Sequence, residues 1–181
     1  MAKFYSELTD ELKQFIDEQH MFFTASAPTT GRINLSPKGI DTFRYFDSKT
    51  VGYLDLTGSG NETAAHLKEN GRITIMFCSF SQKPLILRLY GQGRMIQPRH
   101  SDWDIFYQQF EPVIGNRQIM VMSVTSVQTS CGYGVPLLEF QHQRDTLATW
   151  TKNKGDAGLI AYRQQKNRQS IDGLQTHLFS D

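Results

Sequence analysis

From Met21 onward the chain is written in short runs of alternating apolar and polar residues, closed by turn signals such as Pro28-Thr29-Thr30-Gly31, Pro37-Lys38-Gly39 and Asp47-Ser48-Lys49. A period of two is the mark of strands with one buried face, and it predicts strands near 21–27, 32–36, 42–46 and 50–56. Ile73, Ile75 and Phe77 continue the pattern, as do Leu85, Leu87 and Leu89, whose strand runs through Gly91 and Gly93 toward Ile96. A long strand over 118–129 completes a set of seven. Helical spacing is confined to the margins. Leu8, Leu12, Phe15 and Ile16 fall on one helix face within 6–19, and a second helix is expected over 61–70, opened by a capping box at Ser59-x-x-Glu62 and stopped by Gly71. A third is expected around 101–110.

The tail differs. Between Gln141 and Arg168 the chain is rich in Gln, Lys and Arg, with Leu147, Trp150, Leu159, Ile160 and Tyr162 at loose helical spacing, which predicts two short helices joined near Gly155. Seven strands joined mostly by tight turns favour an antiparallel barrel over a doubly wound parallel sheet. The expected fold class is therefore mainly β with peripheral helices. It is read as one domain over residues 1–181, with a helical C-terminal extension at about 137–181 packed on the barrel.

Charge narrows the function. Nineteen Lys plus Arg against eighteen Asp plus Glu give a net charge of +1, so no long-range field favours nucleic acid or an acidic membrane surface, and any anion site must be local. The start of the chain lacks a signal peptide's apolar core, and no stretch approaches the length of a membrane span, so a cytoplasmic location without membrane attachment is expected. Cys78 and Cys131 lie far apart, and the five histidines show no short metal spacing, so neither a redox pair nor a metal is expected.

Candidate chemistry concentrates at Thr57-Gly58-Ser59-Gly60-Asn61, between a strand and a helix. Two glycines allow close approach of a ligand to the backbone, two hydroxyls can donate, and the free N–H groups of a first helical turn favour an anion. The segment has the form of a phosphate cradle, although a plain helix cap after a tight turn would look the same. Asp55 lies near the end of the preceding strand. Ser36-Pro37-Lys38-Gly39 closes an earlier strand, Arg44 sits in the next, and Arg88 interrupts the apolar run from Leu85 to Tyr90, where a guanidinium needs a partner. That partner could be Asp55 or Glu62 instead of a ligand.

In this order these segments resemble the pyridoxamine 5'-phosphate oxidase family: Ser36-Pro37-Lys38-Gly39, Asp41-Thr42-Phe43-Arg44, Val51-Gly52-Tyr53-Leu54-Asp55, Thr57-Gly58-Ser59-Gly60-Asn61 and Leu89-Tyr90-Gly91-Gln92-Gly93-Arg94. Cys131-Gly132-Tyr133-Gly134-Val135-Pro136 and Lys166-Asn167-x-x-Ser170-Ile171-Asp172-Gly173-Leu174 resemble one branch of it. The resemblance implies an antiparallel split β-barrel that forms a homodimer and holds flavin mononucleotide (FMN) in grooves at the subunit interface. By that likeness Ser36, Lys38 and Gly39 lie along the flavin ring or ribityl chain, and Thr57, Ser59, Gly60 and Asn61 meet the phosphate.

Two departures stand out. The chain ends in Leu174-Gln175-Thr176-His177-Leu178, without the Arg-x-His element that holds pyridoxal phosphate in the oxidase proper, and Gly60 stands where the family usually has a basic residue. The expected activity is thus FMN-dependent oxidoreduction with a small-molecule redox substrate or electron donor other than the B6 vitamers; the alternative is a module that stores or senses flavin without turnover. A homodimer is expected also because Ile119, Val121 and Val124 stand beside Met120 and Met122, offering apolar surface on both faces of one strand.

Overall fold

The computed structural model describes residues 2–179. Eight strands and four helices occur among them: β1 Lys3–Tyr5, α1 Asp10–Asp17, β2 Phe22–Ser26, β3 Asn34–Lys38, β4 Phe43–Tyr45, β5 Thr50–Leu56, α2 Glu62–Glu69, β6 Arg72–Cys78, β7 Ile86–Ile96, α3 Trp103–Tyr107, β8 Asn116–Ser130 and α4 Thr146–Lys166. Every pairing is antiparallel, and the strands form one sheet in the order β3-β2-β6-β7-β8-β5-β4, with β1 added to β8. The seven expected strands are all present. β1 went unread, because Lys3-Phe4-Tyr5 is too short to show a period.

The long strands explain the curvature. β8 pairs β5 through its first half and β1 near its end, while β7 runs along almost its whole length, with a register shift at Tyr90/Gly91. At that bulge only glycine fits, since a Cβ on Gly91 would lie 2.0 Å from the Ser123 carbonyl oxygen. Bending the sheet there wraps it around a core that includes Leu12, Ile16, Phe22, Tyr53, Ile75, Phe77, Leu89, Met120 and Met122. α1 closes one side through Leu12 and Ile16, and its N-terminus is capped by the Thr9 hydroxyl, which accepts from Leu12 N.

A second core occupies the opposite face of the sheet, where Leu54, Ile96, Ile119 and Val121 pack under Trp103 and Phe110. This removes one reason for expecting a dimer. Both faces of β8 are apolar because each is covered within the chain, one by the barrel interior and the other by α3 and the loop after it. The homodimer then rests on the family resemblance alone.

One further expectation changes at the helices. No side chain caps α2, so the box at Ser59-x-x-Glu62 does not form; Glu62 instead accepts from the backbone N–H of Ile171. The tail forms a single helical span, α4, broken at Gly155, whose φ of 61° is non-helical, as the expected join near that residue required. Only Thr151 and Leu159 of α4 are buried, which suits its weak periodicity.

Candidate functional site

Where the end of β5 meets α2, the structure opens into a cleft of about 720 Å³, within the range of small-molecule sites. β3 contributes Ser36 and Lys38, β5 contributes Asp55, the following loop contributes Gly58, Ser59, Gly60 and Asn61, and the start of β8 contributes Arg117. A segment after α4 supplies the remaining wall through Gln169, Ser170 and Ile171, beside Lys166 at the helix end.

The floor is an ionic cluster. Asp55, 2% exposed, accepts from Arg117 Nε at 2.7 Å, from Gln118 Nε2 at 2.8 Å and from Lys38 Nζ at 3.2 Å. Burial alone would raise its pKa, but the Arg117 guanidinium and the Lys38 ammonium outweigh that and hold the carboxyl well below the usual carboxylate range. Lys38 shows the converse balance: burial would lower its pKa, and the Asp55 carboxylate together with Tyr53 outweighs that and raises the value. Both groups are therefore charged at neutral pH. Arg117 is itself buried, and its Nη1 finds no partner in the protein, an expensive arrangement unless a ligand completes it.

Above the floor, Gly58 and Gly60 have no need of glycine's backbone freedom, since neither has positive φ. What they provide is room. A Cβ on Gly58 would meet nothing within 4 Å, and one on Gly60 would touch only the Glu62 side chain. Together with the uncapped start of α2, this makes an open seat with backbone N–H groups at its edge, on the cleft that Arg117 also lines, and such a seat suits an anionic group. Four cations, Arg32, Lys38, Arg117 and Lys166, line the cleft against two carboxylates, Asp55 and Glu62.

The structure thus brings together Ser36, Lys38, Asp55, Gly58, Ser59, Gly60 and Asn61. Two of the expected donors are already engaged. Thr57 is buried, with its hydroxyl donating to the Gly115 carbonyl and accepting from Arg163 Nε; the Asn61 amide is held between Gln118 and Asn167. Gly39 lies past the cleft, beside the His20 carbonyl. Arg44 pairs with Asp41, donates to the Gln109 carbonyl and stacks over Phe110, and Arg88 bonds the Ser130 hydroxyl; neither borders the cleft. His66, on the helix after the cradle, is buried with Nδ1 at 2.9 Å from the Ser26 hydroxyl.

Residues that went unread include Arg117, Gln118 and Arg163. Arg117 carried the same signal as Arg88, a charge leading into an apolar strand, but a charged residue at a strand start is ordinarily solvated.

Comparison with known proteins agrees with this architecture. A family model described as Pyridoxamine 5'-phosphate oxidase matches residues 8–131, which is more than half of the chain. The chain belongs to the pyridoxamine 5'-phosphate oxidase family. Among curated proteins of this family it is 38% identical over 195 residues to the pyridoxamine 5'-phosphate oxidase family protein ustO of Aspergillus flavus, covering 96% of this chain and 77% of that one. Among solved structures, HupZ of group A Streptococcus superposes with a TM-score of 0.52 at 23% identity, covering 65% of this chain and 89% of that one. A putative pyridoxamine 5'-phosphate oxidase of Lactobacillus delbrueckii gives 0.54 at 14% identity over 68% and 94%. The FAD binding protein of Mycobacterium smegmatis gives 0.50 at 12% over 70% and 97%. At these identities the superpositions establish the shared split-barrel fold. Among the described residues no helix is long and apolar enough to cross a membrane, and no group of three or more His, Cys, Asp or Glu residues could hold a metal ion.

Proposed function

We propose that this member of the family binds flavin mononucleotide, with the phosphate at Gly58–Asn61 and the flavin lying along Ser36 and Lys38, and that it acts as an oxidoreductase. The observation that carries the reading is the convergence of an open glycine loop, an uncapped helix start and Arg117, whose buried Nη1 has no partner in the protein, on one cleft. A terminal phosphate meets all three needs at once. The match to a family named for an oxidase and the likeness in fold to a protein that binds FAD favour a flavin as the carrier of that phosphate.

A bound flavin supplies the redox chemistry. The chain's own residues hold and orient it. Asp55 keeps Lys38 protonated, so the Lys38 ammonium is a fixed positive charge on the wall beside the ring and favours negative charge developing there. Arg117 is anchored through Nε by Asp55, and its buried Nη1 has no partner in the protein. No His is among the cleft's lining residues.

Protein incubated with flavin mononucleotide and then desalted should remain yellow, and a nicotinamide nucleotide should bleach it. Retained colour that no reductant discharges would leave the storage or sensing module as the better reading.

A further inference from the structure

Along the loop from Thr57 to Glu62, every residue except Ser59 and Gly60 is tied to the C-terminal segment. Arg163 Nε donates to the Thr57 hydroxyl at 2.8 Å, and Asn167 Nδ2 donates to the Gly58 carbonyl at 3.0 Å. Asn61 Nδ2 donates to the Asn167 carbonyl, and the Ile171 N–H donates to Glu62. Arg32 and Asp172 form a further ion pair beside the cleft. The segment making these contacts is itself a tight hairpin: Ser170 N donates to the Leu174 carbonyl at 2.8 Å, Thr176 N donates to the Arg168 carbonyl at 3.0 Å, and Gly173 turns with φ 84°. Asn167 at its base is fully buried.

Such bonding is more than a tail needs for attachment. It fixes the cradle's backbone and leaves Lys166, Gln169, Ser170 and Ile171 on the cleft; the Lys166 ammonium has no hydrogen-bond or ion-pair partner among the described residues. Lys166 and Arg117, whose buried Nη1 has no partner, line the same cavity.

The geometry points to the C-terminal hairpin as the outer wall of the phosphate seat, with Lys166 contributing a second cation to a phosphomonoester bound between it and Arg117. This rests on the reading of the cleft as a flavin mononucleotide site and adds to it the part of the chain beyond the matched barrel. The shared chemistry is a phosphate dianion, whether carried by the flavin or free. Binding should order the hairpin as well as fill the cleft, because the cradle and the hairpin hold each other.

Two measurements on the full chain test this. In the first, Lys166→Ala should weaken flavin mononucleotide about tenfold, as expected for one charge-assisted contact, while riboflavin changes less than about twofold and Lys166→Arg recovers most of the loss. Equal losses for both ligands, or none, would overturn the role of Lys166. In the second, trypsin cutting after Lys166 and Arg168, both exposed, should be slowed by flavin mononucleotide and by millimolar inorganic phosphate, and not by riboflavin. Unchanged cleavage with flavin mononucleotide bound would overturn the wall. Protection by phosphate in a protein that binds no flavin would keep the anion seat and remove the flavin reading, so the two failures are distinguishable.

Discussion

Replacing Gly58 by valine is expected to weaken flavin mononucleotide by about a hundredfold, roughly 2.7 kcal/mol, while riboflavin binding and the stability of the free protein scarcely change. The separation comes from where the new side chain goes. Nothing in the protein lies within 4 Å of the added Cβ, and the backbone there is not in the left-handed region, so the substitution strains neither packing nor conformation. It does fill the space assigned to the phosphate and blocks the N–H groups behind it, where each charge-assisted hydrogen bond is worth about 1.5–3 kcal/mol. Isothermal titration with both ligands, beside a melting curve of the unliganded variant, gives the three numbers needed. A fall in melting temperature as large as the loss of affinity would mean that Gly58 serves the fold, and the seat would have to be sought elsewhere.

The second large effect is expected at Asp55. Substitution by asparagine keeps the shape but removes the charge that balances Arg117 and Lys38, leaving a buried guanidinium without its counter-ion. Breaking one partner out of a buried pair typically costs about 3–5 kcal/mol, and in a domain of this size about 3 kcal/mol lowers the melting temperature by roughly 10 °C. The pH dependence follows from the direction of the shift. Asp55 has a folded-state pKa below its unfolded value, so its contribution is fully present above about pH 4 and is lost as pH falls through the depressed folded value. Urea denaturation of the wild-type protein should therefore show stability falling on acidification below about pH 4, and Asp55→Asn should be flatter there. A loss under about 1 kcal/mol at pH 7 would place the cluster at the exposed end of the range for ion pairs, too weak to hold Arg117 in position.

The strands were legible because their faces differ. Phe22, Thr24 and Ser26 of β2 point inward while Phe23 and Ala25 are only half-buried, and a period of two records that contrast directly. β5 was placed at its observed ends even though both of its faces are buried, since turn residues bound it on each side. β8 by itself does not distinguish the two kinds of cover: its two-sided apolar character has the same appearance whether a second subunit or α3 covers the outer face, and α3 is only five residues long. The capping box did mislead. Ser59 and Glu62 have the right spacing, but Glu62 is drawn to a backbone N–H more than one hundred positions further along the chain, a competition that local spacing cannot record.

The site divided along the same line. Gly58, Ser59 and Gly60 were found because a loop between strand and helix carries its chemistry in consecutive residues. Arg117 and Lys166 were not, because their roles depend on β8 and the C-terminal hairpin arriving at the cleft from distant parts of the chain. Arg44 and Arg88 lie outside the cleft, each with a partner of its own in Asp41 and Ser130.

On the proposed reading this cleft recognises a flavin by its terminal phosphate. Titrating the wild-type protein with flavin mononucleotide and with riboflavin at physiological ionic strength tests it most directly. The account predicts flavin mononucleotide to be the tighter ligand by at least about a hundredfold, roughly 2.7 kcal/mol. Equal affinity for the two, or no binding of either, would contradict it.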